Sequence, residues 1–220
     1  YTYCENDGVN AWDPSGHRKS NATKVTKEIK RIIRNEIKKM TKNIADHTIS
    51  KILKQTIKNR KKWCKNVSKG ELNKLDAPEL LARMIYGECT PKEINSKAMG
   101  YRKENIAFWK IVKNAAGKTN RTRIKKELLK SGRYYGLTND NDYAAHGRNP
   151  DCTIKWARAV IMGTLYEKNK MNKLIKVSGI NKRMKYWHSQ EDWSRFYNPT
   201  TKIVSNLGVK VIKYKKYAET

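Results

Sequence analysis

Hydrophobic residues recur with a helical period through residues 23 to 65. Spacings of three and four predict two helices, whose apolar stripes are Ile29, Ile33, Ile37, Met40 and Ile44, then Ile49, Ile52, Leu53 and Ile57. Asp46 or Thr48 is expected to cap the second helix. Because each stripe is narrow, we expect a helical hairpin that packs on the rest of the chain through one face.

A third helical pattern begins at Asp76. Asp76 and Glu79 have the spacing of a capping box, and a proline in the first turn is typical of a helix start. Four residues at i, i+3, i+4 and i+7 then share one face: Leu81, Met84, Ile85 and Glu88. Three of them are large and apolar, so this face is expected to be buried, and the helix should end near Gly87.

The fourth residue on that face, Glu88, is the candidate catalytic residue. Partial burial beside apolar neighbours raises the pKa of a carboxyl group, and a carboxyl that stays protonated near neutral pH can act as a general acid. The alternative is a helix-end glutamate that faces solvent or pairs with a lysine.

The remaining elements are predicted as two more helices, a short helix and a few strands. Apolar residues at helical spacing indicate helices at 107–116, closed by Gly117, at about 124–129, and at about 153–168. Later the period shifts toward two, around 174–177 and again around 209–212, which predicts short strands that close the domain. The expected fold class is therefore mainly α (α+β).

Residues 132–152 are rich in Asp, Asn and Tyr, and we expect them to form a loop. A structureless loop of this length is uncommon in a compact domain unless it has a function. Aromatic rings beside amides and carboxylates suit the faces and hydroxyls of sugars, so this loop is interpreted as one wall of a glycan groove. A surface loop with no role is the alternative.

Charge is the strongest compositional signal, with a formal net charge of +29. Nucleic acid, an anionic membrane and an acidic cell wall are the partners that such a charge favours. Between Arg18 and Lys74 there are nineteen basic residues against four acidic ones. These lysines either contact a polyanion or are simply solvated on the outer face of the hairpin. The sequence contains no run of eighteen apolar residues, so no membrane-spanning helix is predicted.

The four cysteines show no CxxC pair and no metal-like spacing with histidine, so we expect no metal and no cofactor. They could form two disulfides in three connectivities, or none: Cys4, Cys64, Cys89 and Cys152.

The segment 81–88, Leu-Ala-Arg-Met-Ile-Tyr-Gly-Glu, resembles the opening motif of the SleB-type cell-wall hydrolases, the spore cortex-lytic enzymes and their relatives. Segments that resemble later motifs of that family follow in the same order: 106–114, 132–136, 156–163, 196–199 and 207–214. Several positions depart from the family pattern: Cys89, Glu93, Arg133, Tyr134 and Lys210.

The resemblance implies a lysozyme-like helical domain that cleaves the glycan strands of peptidoglycan, with Glu88 as the catalytic acid and then base, in a lytic transglycosylase or muramidase reaction. The residues expected to bind substrate are Glu93, Asn114, Arg133, Tyr134, Tyr135, Asp140, Tyr197 and Asn198. It also implies an extracellular, wall-associated protein or a component of a phage virion.

We therefore expect an irregular arm at 1–22, a basic helical hairpin at 23–72 and a SleB-like catalytic domain at 73–220. The alternative function is a basic nucleic-acid-binding or structural phage protein that keeps an inactive lysozyme-like scaffold.

Overall fold

The structure is a computed structural model that describes residues 18–88, 99–148, 154–177 and 180–185. Within these ranges every regular element is helical. The α-helices are α1 (Arg18–Met40), α2 (Asp46–Trp63), α3 (Ala77–Glu88), α4 (Met99–Ala116), α5 (Arg121–Leu128), α6 (Tyr135–Thr138), α7 (Asp140–Asp142) and α8 (Ile154–Glu167). Two 3₁₀ helices, at Lys69–Lys74 and Met171–Lys173, and a π-helical turn at Tyr143–Gly147 complete the described part.

Helix α3 lies at the centre, and α8 packs along it. The apolar face predicted for α3 is fully buried, and the opposite face is buried as well. Gly163 of α8 approaches the Pro78 carbonyl so closely that a β-carbon would overlap it. The Tyr86 and Trp156 rings meet edge to face, with centroids 5.4 Å apart. A helix covered on all sides must be apolar around most of its circumference, which the sequences of α3 and α8 satisfy.

The start of α3 differs from the predicted capping box. The Asp76 carboxylate accepts the Ala77 N–H at 2.8 Å. Glu79 instead binds Arg83, one turn further along the helix, at 2.9 Å. The second predicted cap is wrong, since Ala45 occupies the N-cap of α2 and contributes no side-chain hydrogen bond.

The hairpin of α1 and α2 shares one hydrophobic core with the later helices. Its buried side chains join the same cluster as those of α3 and α8: Ile33, Ile37, Met40, Ile49, Ile52 and Trp63. The predicted packing of the hairpin through its apolar stripes is therefore confirmed.

A buried carboxylate ties α1 to α4 and α8. Glu36 accepts hydrogen bonds from Arg102 Nε at 2.8 Å and from Arg158 Nε at 2.9 Å. Burial alone would raise the pKa of Glu36, but the two guanidinium groups outweigh it and lower the pKa below its ordinary value. The carboxylate is therefore charged and held by two cations at neutral pH.

The strand predicted around 174–177 is wrong in the described chain, and the one around 209–212 lies outside it. Leu174 forms one isolated antiparallel bridge with Thr41, at the end of α1. Leu174 and Val177 are both buried, a spacing of three rather than the two that a strand requires. The segment lies across the end of α1, and only one residue pair there forms a β-bridge among the described residues. The described part is consequently all-helical rather than α+β.

None of the helices in the described ranges has the length and apolar character that a bilayer-spanning segment requires.

Candidate functional site

Glu88 is the last residue of α3 and is half-buried. Its Oε1 atom accepts the backbone N–H of Gly136 at 2.8 Å. This hydrogen bond joins residues 48 positions apart in the sequence. The carboxylate is thus anchored in one orientation at the beginning of α6 rather than free to rotate at a helix end.

Two glycines make this contact sterically feasible. The backbones of Gly87 and Gly136 touch, and a β-carbon on either residue would overlap the backbone of the other. Only glycine allows two main chains to approach so closely. The Gly136 N–H reaches the Glu88 carboxylate because both contact residues lack a side chain.

The chain that leads into α6 is held by a buried carboxylate, Glu127 of α5. Glu127 pairs with Arg133 Nε at 2.6 Å and with Lys130 Nζ at 2.7 Å, and it accepts the Tyr134 hydroxyl at 3.2 Å. Burial and the neighbouring Glu127 charge raise the pKa of Tyr134 well above its usual range. This network fixes the residues immediately before Gly136.

Beneath the site, Arg83 joins α3 to the end of α2 and to the π-helical turn. Its guanidinium group is fully buried and donates to the carbonyls of Trp63 at 2.8 Å, Lys65 at 3.0 Å and Gly147 at 3.0 Å. With the ion pair to Glu79, this satisfies the buried charge. Arg83 therefore orients the helix that carries Glu88.

The predicted substrate-binding residues near α6 are divided between the interior and the surface. Tyr134 is 5% exposed and turned toward Glu127, whereas Tyr135 is 53% exposed. Arg133 bridges Glu127 and the Lys185 carbonyl, which it contacts at 2.7 Å. Of these three, only Tyr135 presents its side chain to solvent as a sugar-stacking role requires.

The other predicted residues lie elsewhere. Asn114 donates to the carbonyls of Asn181 and Met184, both at 2.8 Å, and so fixes the segment after α8. Asp140 is exposed and pairs with Lys69 at 2.9 Å. Three predicted substrate-binding residues lie outside the described part of the chain: Glu93, Tyr197 and Asn198.

The loop expected at 132–152 is wrong in its described part, because residues 135–147 form α6, α7 and the π-helical turn. The Asn139 side chain accepts the N–H groups of Asn141 and Asp142, which starts α7. A cavity of about 250 Å³ borders this region, and its lining does not include Glu88. The lining residues are Lys69, Gly70, Leu72, Asn73, Leu129, Ser131 and Thr138.

Sequence reasoning missed two contributors to the site. The first is the Gly136 N–H, since a backbone donor has no side-chain signature, although the paired glycines of the two motifs hint at a close contact. The second is Arg83, whose charge suggests exposure rather than burial.

Within the described ranges, no three histidine, cysteine or acidic side chains are grouped as a metal site would require. Comparison with protein-family models, with curated proteins and with solved structures finds no match to this chain.

Proposed function

We propose that this protein cleaves the glycan strands of peptidoglycan and that Glu88 is its catalytic residue. The observation that carries the proposal is the hydrogen bond from Gly136 to the Glu88 carboxylate. It brings together two segments, 81–88 and 132–136, that resemble two motifs of the SleB-type hydrolases. A third such segment, in α8, packs on α3 through the contact between Trp156 and Tyr86.

The reaction requires one acid that later acts as a base. The Glu88 carboxyl donates its proton to the glycosidic oxygen as the bond from the anomeric carbon to that oxygen breaks. The resulting carboxylate then removes the proton of the 6-hydroxyl of the same muramic residue, whose oxygen closes on the anomeric carbon to form an anhydro ring. Glu88 ends the cycle protonated, and no water is consumed.

Among the described residues, the placement of Asp140 and Asp142 around α6 favours a single-acid reaction over two-carboxylate hydrolysis, whereas Glu93 and Asp151 lie outside the described part of the chain. Hydrolysis needs a second carboxylate at a fixed distance from the first. Asp140 is turned outward to Lys69, and Asp142 is exposed in α7. In the part of the chain that the structure describes, Gly136 donates its N–H to Glu88, and this hydrogen bond orients the acid. Hydrolysis by a muramidase mechanism is the alternative, and analysis of the reaction products distinguishes the two mechanisms.

The proposal places the protein at the cell wall, outside the cell, and a phage particle that carries it there is the alternative setting. Peptidoglycan is acidic, and a basic surface suits it. The exposed ring of Tyr135, which is adjacent to Gly136, is the group proposed to stack on a sugar.

Release of dye-labelled fragments from purified peptidoglycan tests the role of Glu88. General acid–base catalysis contributes about 10²- to 10⁴-fold to rate, so Glu88→Gln should lower release by at least about a hundredfold. The matched control is Glu28→Gln, because Glu28 is half-exposed on α1 and pairs only with the neighbouring Arg31 in the described structure. The control should match the parent protein. Equal release by parent and Glu88→Gln would overturn the proposal.

A further inference from the structure

The outer face of α2 carries a continuous row of lysines, defined here as the lysine row: Lys51, Lys54, Lys58, Lys61 and Lys62. At 100° per residue these five positions fall within a sector of about 100°, and at about 1.5 Å per residue they span about 16 Å. The buried residues of α2 occupy the opposite side of the helix: Ile49, Ile52, Thr56, Asn59 and Trp63. The row is therefore directed away from the core.

All five side chains are exposed, and within the described residues none forms an ion pair or a hydrogen bond. Asp46 is the acidic residue of α2, and its carboxylate is engaged by Arg34 at 3.5 Å and Lys38 at 3.3 Å. Asp46 therefore does not neutralise the positive charge of the lysine row. Like charges placed three and four residues apart repel one another, so the row destabilises α2 slightly.

We propose that the lysine row is a binding surface for the phosphate backbone of duplex nucleic acid. This proposal does not depend on Glu88 or on glycan cleavage. A row of like charges along one helix, with about one charge per 3–4 Å, is complementary to a strand of duplex nucleic acid, which carries one phosphate per about 3.4 Å. Duplex DNA carries one charge per about 1.7 Å of its axis and releases condensed counterions when lysines neutralise its phosphates.

Stiffness favours the duplex over a flexible polyanion. Over about 16 Å a duplex is effectively rigid, since its persistence length is about 50 nm, so it aligns with a straight row without losing chain entropy. A flexible polymer would lose conformational entropy to do the same. Lysine binds a phosphate as a point charge, and the row contains neither the planar fork of arginine nor an aromatic ring that could stack on bases. Binding should therefore be independent of nucleotide sequence.

The test compares two variants that lose the same charge. The row variant replaces the five row lysines with glutamine, whose helix propensity is close to that of lysine. The control variant makes the same replacement at five exposed lysines outside α2 that have no side-chain partner within the described residues: Lys113, Lys118, Lys126, Lys168 and Lys173. Circular dichroism should show equal helix content in the parent and both variants.

Fluorescence anisotropy with a labelled 24-base-pair duplex, titrated from 50 to 200 mM salt, provides the readout. Each neutralised phosphate contact adds about 0.9 to the magnitude of the slope of log K against log salt. The slope of the row variant should therefore be smaller in magnitude than that of the parent by about 4 to 5. The slope measured for the control variant should differ from that of the parent by no more than about 1. Two duplexes of different sequence should bind equally well.

Three outcomes would overturn the proposal. The first is no binding of the duplex by the parent protein, and the second is an equal loss of slope in both variants, which would indicate bulk charge alone. In the third, inorganic polyphosphate displaces the duplex as effectively, per phosphate, as unlabelled duplex does. That result would assign the row to a flexible phosphate polymer such as those of cell walls.

Discussion

Replacing Arg83 with methionine removes the charge at the centre of the fold while keeping a long apolar side chain. In the structure the Arg83 guanidinium is fully buried, contacts the Glu79 carboxylate at 2.9 Å, and donates to three backbone carbonyls at 3.0 Å or less. Glu79 is 13% exposed, so water can solvate its carboxylate only in part after the change. The substitution leaves an acidic group and several carbonyl oxygens without their donor.

Removing one partner of a buried ion pair costs about 3–5 kcal/mol, and each buried carbonyl that is left without a hydrogen-bond donor adds to that cost. We therefore expect Arg83→Met to lower the free energy of unfolding by about 4 kcal/mol. With a urea m-value of about 2 kcal/mol/M, the midpoint of unfolding should fall by about 2 M. That loss is a large fraction of the stability of an ordinary domain.

Urea unfolding followed by circular dichroism measures the effect, and Arg121→Met is the matched control. Arg121 pairs with Asp76 at 2.6 Å, but both side chains are more than half exposed, so this pair should contribute at most about 1 kcal/mol. If Arg83→Met unfolds within 1 kcal/mol of the control at an unchanged m-value, the assignment of Arg83 as the buried link between α2, α3 and the π-helical turn is wrong.

Two further predictions concern the buried carboxylate of α1 and the glycine contact beside the site. Because the pKa of Glu36 is lowered in the folded state, its stabilisation is present above the unfolded value of about 4.5 and is lost as the pH falls through the lower folded value. The free energy of unfolding, measured from pH 7 to pH 3, should therefore be lower for Glu36→Gln than for the parent at pH 7. The difference between the two free energies should become smaller below about pH 4.5. A difference that stays constant over this pH range would contradict the assignment of a lowered pKa to Glu36. Gly136→Ala should cost about 1–3 kcal/mol in thermal unfolding because its methyl group overlaps the Gly87 backbone. Gly70→Ala has open space and should be neutral or slightly stabilising, and equal effects of the two changes would refute the contact.

The long helices could be predicted from the sequence because their apolar residues repeat with a helical period. For α3 this pattern located the buried face correctly, and Gly117, which has a positive φ of 70°, ends α4 as expected. The short elements at 135–147 could not be predicted, since they are polar and too short for a period to show. The strand at 174–177 failed because the buried pair, Leu174 and Val177, is spaced by three residues.

The site was predictable only in part. Glu88 could be singled out because it follows three apolar residues on one helical face. Its donor could not, since the hydrogen bond joins Gly136 to a residue 48 positions away and uses a backbone atom. The interior position of Tyr134 was equally hidden, because it depends on Glu127, a carboxylate that the sequence places on a strongly basic helix and that the structure buries.

The most direct test of the central claim is mass analysis of the fragments that the protein releases from purified peptidoglycan. If Glu88 alone donates and then accepts the proton, the parent protein should release muropeptides with anhydro-muramic ends, and Glu88→Gln should release none above background. If Glu88→Gln gives the same fragments at the same rate as the parent, Glu88 is not the catalytic residue.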